Sequence, residues 1–215
     1  MGDTAVLRVE KLKVGGLPPL SFEVAKGECM SIEGPSGSGK TRLLRAIADL
    51  DDAPGYVFLE GVERREMPAP QWRRQVRYLA AEPGWWAATP REHFPASVDR
   101  GKLGRLLDSV GLEDSLLDQP IGQLSTGERL RLALVRGLID EPRVLLLDEP
   151  TGALDQQSRA LVDELIRFQL LADRVVLLVS HDSVEIERLA DQRLQLGDTG
   201  RGVSSAQPAV NGSAK

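Results

Sequence analysis

Short apolar stretches of strand length alternate along the chain with segments whose apolar residues recur at helical spacing. Two of the stretches, residues 144–147 and 175–179, are apolar at every position. Continuous apolar strands are typical of a parallel sheet that helices cover on both faces. The pattern therefore predicts an α/β fold with a mostly parallel sheet. The predicted strands are residues 6–9, 20–24, 29–32, 56–59, 76–80, 144–147, 175–179 and 193–196.

The segments between the strands predict one domain with an insertion. Between residues 83 and 124, glycine and proline recur around short helical pieces, which predicts a helical sub-lobe of about residues 82–135. The length of 215 residues suits a single domain, predicted over residues 1–197. Residues 198–215 are mostly small and polar, and we predict a disordered tail there. Helical periodicity begins after polar loops at Gly39, Thr126 and Asp155.

Charge and cysteine content narrow the possible functions. Acidic residues outnumber basic ones, 32 to 27, and the positive charges are scattered, so the chain lacks the basic stripe of a nucleic-acid groove. The single cysteine, Cys29, has no partner for an internal disulfide, which is typical of a cytosolic protein. No segment has the pattern of a signal peptide or the roughly 20 apolar residues of a membrane span. We therefore expect a cytoplasmic protein with no nucleic-acid partner, and we expect any membrane part to belong to another chain.

A glycine-rich loop lies between the predicted strand at residues 29–32 and the helix that begins near Gly39. It has a glycine, four residues and then Gly-Lys-Thr, which is the pattern of a phosphate-binding loop. Its backbone N–H groups and the positive end of the helix dipole bind phosphate oxygens. In that arrangement Lys40 bridges the terminal phosphates of the ligand, and the Thr41 hydroxyl binds the Mg²⁺ that these phosphates also hold. The predicted phosphate-binding residues are Gly34, Pro35, Ser36, Gly37, Ser38, Gly39, Lys40 and Thr41.

Polar side chains follow two of the apolar strands, at the strand ends where ligands bind in open α/β sheets. Asp148 and Glu149 come directly after residues 144–147. We predict that Asp148 contacts Mg²⁺ and that Glu149 polarises the attacking water. His181 follows the other apolar strand, which favours a catalytic contact with the γ-phosphate or with that water. The second histidine, His93, lies in the predicted sub-lobe, and we assign it no role.

Four segments stand in order along the chain: the phosphate loop, Leu124-Ser125-Thr126-Gly127-Glu128, the acidic strand end and Ser180-His181-Asp182. Together they resemble the nucleotide-binding subunits of ATP-binding cassette (ABC) transporters over roughly residues 5 to 196. The second segment, here called the signature segment, is the most specific, because Leu-Ser-x-Gly before a basic and apolar helix is specific to that family. The resemblance implies a P-loop NTPase core with a mostly parallel sheet flanked by helices, a small antiparallel β part at the N-terminus and an inserted helical sub-lobe.

The resemblance also implies a mechanism. Two copies close head to tail around two Mg-ATP, and each ATP lies between the phosphate loop of one copy and the signature segment of the other. Hydrolysis of ATP then drives a separate transmembrane permease subunit, so the protein is expected on the inner face of the cell membrane. Residues 151–155 are similar to the family's dimer-contact loop. Beyond the phosphate loop, the residues implied to bind ATP are Ser125, Thr126, Gly127, Glu128 and Asp155.

Several positions depart from the family pattern. Ala81 stands where a glutamine usually touches the metal, so either coupling works without that amide or Glu82 replaces it. In the signature segment, Thr126 stands where a second glycine is usual, and Glu128 where glutamine is common. No aromatic residue near residues 13–17 is placed to stack on adenine.

Trp85 and Trp86 lie just beyond Ala81, in the region that resembles the family's docking face for the membrane subunit. Two interpretations of this pair are open. Large aromatic residues exposed together mark an interface, whereas buried ones fill the core of the small lobe.

The leading hypothesis is the ATPase subunit of a transporter, most similar to small bacterial cassettes associated with iron export. A haem-exporter-type cassette is the alternative within that class. A soluble cassette acting in translation or DNA repair is disfavoured, because the chain has neither a second cassette nor a long coiled-coil insertion. A degenerate cassette that regulates a partner without turnover is favoured by Ala81 and Thr126 and disfavoured by Glu149 and His181.

Overall fold

The computed structural model of the protein describes residues 5–197 and 204–208 and arranges them in two β-sheets with helices packed against them. The strands are β1 (Ala5–Leu12), β2 (Leu20–Ala25), β3 (Cys29–Glu33), β4 (Tyr56–Leu59), β5 (Val62–Glu63), β6 (Val76–Leu79), β7 (Val144–Asp148), β8 (Val175–Val179), β9 (Gln192–Gln195) and β10 (Ser204–Pro208). The helices are α1 (Lys40–Ile47), α2 (Ala69–Gln75), α3 (Arg100–Ser109), α4 (Thr126–Leu138), α5 (Gln156–Leu171) and α6 (Ser183–Leu189). Short 3-10 turns span Arg64–Glu66, Pro90–His93, Asp114–Asp118 and Ile121–Gln123.

The larger sheet holds its strands in the order β10-β9-β3-β8-β7-β6. Strands β9, β3, β8, β7 and β6 run parallel, and β10 joins the edge antiparallel to β9. The smaller sheet is antiparallel, in the order β2-β1-β4-β5. The predicted fold class, a mostly parallel sheet with helices and a small antiparallel part near the N-terminus, is therefore confirmed.

Strands β7 and β8 lie inside the larger sheet and are buried along their whole length. Their side chains alternate between the two faces of the sheet. Leu146 and Leu177 face a core shared with the smaller sheet, α1 and α2, whereas Leu147 and Leu178 face a second core beneath α3, α4 and α5. Because both faces are covered, these strands need apolar residues at every position.

Helix α1 presents the predicted inner face, Leu43, Leu44 and Ile47, to the first core, where all three are fully buried. The end of the helix is also anchored by a hydrogen bond. The indole Nε1 of the fully buried Trp72, on α2, donates to the carbonyl oxygen of Ile47 at 2.9 Å. This packing holds the N-terminus of α1, and with it the preceding loop, at the edge of the larger sheet.

Between β6 and β7 the chain forms α3, α4 and three of the 3-10 turns. Leu103 and Leu107 of α3 and Leu130 of α4 pack in the second core. Further along α4, Gly137 lies so close to β6 that a Cβ there would come within 2.6 Å of the Leu79 side chain. Helix α4 therefore runs from this helical region directly onto the sheet.

A few boundaries differ from the sequence prediction. Strand β6 ends at Leu79, one residue early, and β9 begins and ends one residue early. Residues 204–208, predicted to be part of a disordered tail, form β10, because the backbone of edge strand β9 offers unpaired hydrogen-bonding groups. The remainder of that predicted tail, residues 198–203 and 209–215, lies outside the described residues. Within the described ranges, no helix is both long and apolar enough to cross a lipid bilayer.

Candidate active site

The carboxyl ends of β3, β7 and β8 meet at one edge of the larger sheet, because neighbouring strands here are parallel. Asp148, the last residue of β7, pairs in register with Val179, the last residue of β8. The next residue, Glu149, donates its backbone N–H to the Val179 carbonyl at 2.9 Å. The glycine-rich loop leaves β3 at the same edge. The polar residues that the sequence placed at three strand ends are therefore neighbours in space.

The loop conformation requires glycine. Gly34 has φ 149°, and a Cβ there would lie 2.5 Å from the backbone oxygen of Leu196. Lys40 is only 8% exposed, and its ammonium donates to the backbone oxygens of Gly34 at 2.7 Å and Pro35 at 3.1 Å. The loop thus wraps around the ammonium group. The buried hydroxyl of Ser38, inside the same loop, has no hydrogen-bond partner among the described residues.

Asp148 is held by two hydroxyl groups. The Thr41 Oγ1 donates to Asp148 Oδ2 at 2.7 Å, and the Tyr78 hydroxyl donates to the same oxygen at 2.9 Å. Burial and the negative charge of Asp148 raise the pKa of Tyr78 above its usual range, so the phenol stays protonated as a donor. The hydroxyl and carboxylate oxygens are hard ligands of the kind that Mg²⁺ takes together with substrate phosphates. Thr41 and Asp148 therefore fit a magnesium ion bound with a nucleotide.

The predicted catalytic pair is also assembled. His181 Nε2 lies 3.2 Å from Glu149 Oε1, and both side chains are partly exposed in an open cleft of about 450 Å³. Glu149 has φ 52°, a left-handed conformation that is uncommon outside glycine. In this conformation the Glu149 carboxylate lines the cleft beside His181.

A buried carboxylate beneath this cleft was not predicted. Glu185 of α6 is 3% exposed and accepts hydrogen bonds from Thr151 Oγ1, at 3.0 Å, and from Ser180 Oγ. Burial raises its pKa. Glu185 thereby ties the loop after β7 to the loop after β8, the loop that carries His181. On the sequence it reads as an ordinary acidic residue in the first turn of a helix.

The signature segment begins α4. Ser125 is the N-cap residue, and Glu128 Oε2 accepts from both the Ser125 backbone N–H, at 2.8 Å, and the Ser125 hydroxyl, at 2.7 Å. These hydrogen bonds lower the pKa of Glu128, so its carboxylate is ionised at neutral pH. Arg129 donates to the Thr126 hydroxyl at 3.2 Å. Gly127 packs against the loop after β7, since a Cβ there would lie 3.3 Å from a Leu154 methyl.

Asp155 has a local contact of its own. Its carboxylate caps α5 by accepting from the backbone N–H of Ser158 at 2.9 Å and from the Ser158 hydroxyl at 2.7 Å. These hydrogen bonds lower the pKa of Asp155. In the described part of the chain, no hydrogen bond joins the side chains of Asp155 or the signature segment to the phosphate loop or the acidic pair. A single copy therefore assembles Lys40, Thr41, Asp148, Glu149 and His181, and the signature segment makes its own separate network.

Ala81 is exposed and offers only a methyl group, whereas the two tryptophans beyond it form a cluster. Trp85 packs against the second core, but Trp86 is 77% exposed. The Arg136 guanidinium lies 4.3 Å from the ring centroid of Trp85 and 5.0 Å from that of Trp86. The His93 ring meets both indoles edge-on. Each earlier interpretation therefore describes one member of the pair, with Trp85 in the core and Trp86 on the surface.

The family model described as ABC transporter matches residues 17–152, which is more than half of the chain. Curated relatives match over most of it. The Nod factor export ATP-binding protein I of Ralstonia nicotianae is 34% identical, over 97% of this chain and 69% of that protein. The aliphatic sulfonates import ATP-binding protein SsuB 2 of Mesorhizobium japonicum is 37% identical, over 97% of this chain and 83% of that protein. The probable iron export ATP-binding protein FetA of Escherichia coli is 36% identical, over 82% of each chain.

Solved structures share the fold at lower identity. A dimeric ATP-binding cassette in a post-hydrolysis state, bound to ADP and phosphate, has a TM-score of 0.79 at 22% identity and covers 94% of this chain and 98% of that one. A bacterial Atm1-family ABC exporter with ATP bound has a TM-score of 0.83 at 22% identity. The match covers 97% of this chain and 40% of that one. The family match and the curated relatives, each above 30% identity, together place this chain in the ABC transporter family, as an ATPase of that family.

Proposed function

We propose that the chain is the ATP-hydrolysing subunit of a transporter whose membrane-spanning part is a separate chain, and that two copies close head to tail around two Mg-ATP. The observation that supports this most is the Glu149–His181 pair, 3.2 Å apart, beside the Thr41–Asp148 pair at the same sheet edge. A cassette that only bound nucleotide would need the phosphate loop but not this second pair. Turnover is therefore favoured over purely regulatory binding.

In this proposal the phosphate loop binds the nucleotide first. Lys40 exchanges the backbone oxygens of Gly34 and Pro35 for phosphate oxygens, which are charged and therefore stronger acceptors. Thr41 and Asp148 are the residues that would hold Mg²⁺. A bound ion would supply positive charge to the phosphate oxygens.

Glu149 acts next, as the group that orients the attacking water and accepts its proton. His181 lies within hydrogen-bonding distance of the Glu149 carboxylate and fixes its orientation toward the γ-phosphate. The cleft that contains both side chains is open to solvent in one copy. Closure by a second copy would exclude bulk water and strengthen these electrostatic contacts.

The signature segment supplies the closing surface. The first turn of α4 has backbone N–H groups and a positive dipole end that bind anions. In one copy, however, the backbone N–H and hydroxyl of Ser125 both donate to Glu128. The γ-phosphate of the partner's ATP must compete with this ionised carboxylate for the same donors.

Glu128→Gln should therefore strengthen ATP-driven dimerisation by about tenfold, because it removes a negative charge beside the bound phosphate. The midpoint of dimer formation, measured by analytical ultracentrifugation against ATP in a turnover-blocked background, reports the change. Glu164→Gln, an exposed site on α5, is the matched control and should leave the midpoint unaltered. An unchanged or weaker dimer in Glu128→Gln would contradict the placement of this segment at the phosphate.

We propose that the membrane subunit docks on the surface around Trp86, where an exposed indole contacts the Arg136 guanidinium and the edge of the His93 ring. Exposed aromatic residues of this kind carry much of the binding energy at protein interfaces. Iron export is the proposed process, supported by the Escherichia coli relative that matches over 82% of both chains. Relatives named for import and for other cargoes match to a similar extent, in keeping with cargo selection by the membrane subunit.

Trp86→Ala should lower the membrane-bound share of the chain about tenfold in its native host, because the interface loses its central aromatic contact. The share is measured on tagged, full-length protein by membrane fractionation, and the membrane protein that co-purifies is then tested for iron-stimulated ATPase activity. Phe168→Ala, which removes an exposed aromatic ring from α5, is the matched control. Equal membrane binding by both variants and the unaltered chain would refute docking at Trp86.

A further inference from the structure

The Tyr78 hydroxyl reaches the magnesium site from a neighbouring strand. Tyr78 lies on β6, in register with Leu146 of β7, and its hydroxyl donates to Asp148 Oδ2 at 2.9 Å. Its ring is partly buried against the first core, so the hydroxyl is held in place by packing as well as by this bond. Neither the phosphate loop, the acidic strand end nor the signature segment contains this residue.

Two donors converge on one carboxylate oxygen. Thr41 and Tyr78 both donate to Asp148 Oδ2, and neither bond uses the other oxygen, Oδ1. Hydrogen bonds to an ionised acceptor are stronger than those between neutral groups, and Asp148 is only 5% exposed, so water competes poorly. Two such bonds from different elements fix the rotation of the carboxylate and leave Oδ1 pointing in one defined direction.

The same contact compensates for what Ala81 lacks. A methyl group at position 81, exposed two residues beyond the end of β6, offers no atom that could bind a metal or its water. Tyr78 lies three residues earlier, within β6, and supplies a polar group from that strand to the site. Strand β6 therefore contacts Asp148 through a phenol hydroxyl rather than through an amide beyond its end.

We propose that Tyr78 is a positioning residue that holds Asp148 in the orientation in which it binds Mg²⁺ together with ATP, and this inference rests on the proposed function. Without the hydroxyl, Thr41 alone orients the carboxylate, and part of the metal affinity is lost to rotation of Asp148. The competing explanation is that Tyr78 only stabilises the packing of β6 on β7. The two explanations make different predictions for a variant without the hydroxyl. Only the positioning role predicts a loss of ligand affinity that depends on the metal.

Tyr78→Phe isolates the hydroxyl, because phenylalanine keeps the ring and its packing. The chain contains two tyrosines, and Tyr56→Phe, half-exposed on β4, is the matched control. Full-length variants are titrated with Mn²⁺ in the presence of adenylyl imidodiphosphate, and free Mn²⁺ is measured by electron paramagnetic resonance. Binding of the same nucleotide in EDTA and the melting temperature are measured in parallel.

We expect Mn²⁺ affinity to fall about tenfold in Tyr78→Phe, with nucleotide binding in EDTA within about twofold of the unaltered chain. Tyr56→Phe should match the unaltered chain in both. Unchanged Mn²⁺ affinity in Tyr78→Phe, with or without a lower melting temperature, overturns the proposal, and so does an equal loss of nucleotide binding in EDTA. If the unaltered chain itself binds no nucleotide, the proposed function fails instead.

Discussion

Replacing Glu149 by glutamine should abolish ATP turnover while leaving ATP bound. The carboxamide has the same shape as the carboxylate but cannot accept a proton from the attacking water, so we expect phosphate release to fall by about 10²- to 10⁴-fold. The phosphate loop and the Thr41–Asp148 pair are untouched, and binding should therefore persist. Phosphate release and retained nucleotide are measured on the same preparation.

The control for this substitution is Glu187→Gln. It neutralises an exposed acid on α6, the helix that follows the loop of His181. It should turn over ATP at the rate of the unaltered chain. If the Glu149→Gln variant also hydrolyses ATP at the rate of the unaltered chain, Glu149 is not the proton acceptor. His181→Ala, in contrast, retains the acid and should show a smaller loss, because His181 orients the group rather than accepting the proton.

Replacing Lys40 by alanine should lower ATP affinity by about a hundredfold or more. The ammonium is buried in the loop and is the one side-chain cation that the loop residues 34–41 supply to the phosphates. Charge-assisted contacts with two phosphates are lost together, each worth on the order of 1.5–3 kcal/mol. The affinity is measured by equilibrium binding of a fluorescent ATP analogue.

The folding of this variant needs its own check, because the backbone oxygens of Gly34 and Pro35 lose their donor. The matched control is Lys26→Ala, which removes an exposed lysine and should change neither the ATP affinity nor the melting temperature. Unchanged ATP binding in a folded Lys40→Ala chain would remove the phosphate-loop assignment.

Much of the fold was readable from the sequence because of where its strands lie. Strands β7 and β8 are covered on both faces, so every position is apolar and the strands stand out without any knowledge of their neighbours. The phosphate loop was readable for a different reason, since Gly34 occupies a position where a Cβ would collide with the Leu196 backbone. Both constraints come from tertiary packing, but each acts on a short run of consecutive residues and is therefore visible in a single sequence.

The contacts that escaped prediction depend on the tertiary structure. A tyrosine on a partly buried strand has the sequence pattern of a core residue, and only the pairing of β6 with β7 brings the Tyr78 hydroxyl to Asp148. In the sequence, Glu185 has the pattern of a solvent-exposed acid on a helix. Only the tertiary structure shows that it is buried and bonded to Thr151 and Ser180 in two different loops. Strand β10 forms through its pairing with β9 rather than through its own composition.

One missed contact did have a sequence signal. Ser125 and Glu128 are spaced as in a capping box, S-x-x-E, which predicts that the serine donors and the glutamate bind each other. Within the family resemblance the same residues were assigned to ATP alone. The two assignments are compatible only if the nucleotide displaces Glu128, which is what Glu128→Gln tests.

The most direct test of a site shared by two copies is the mass and nucleotide content of the Glu149→Gln chain in Mg-ATP, measured by size-exclusion chromatography with light scattering. We predict a species of twice the 23.4 kDa chain mass that carries two ATP and reverts to the monomer when nucleotide is removed. A species that stays monomeric with one ATP bound would contradict the account.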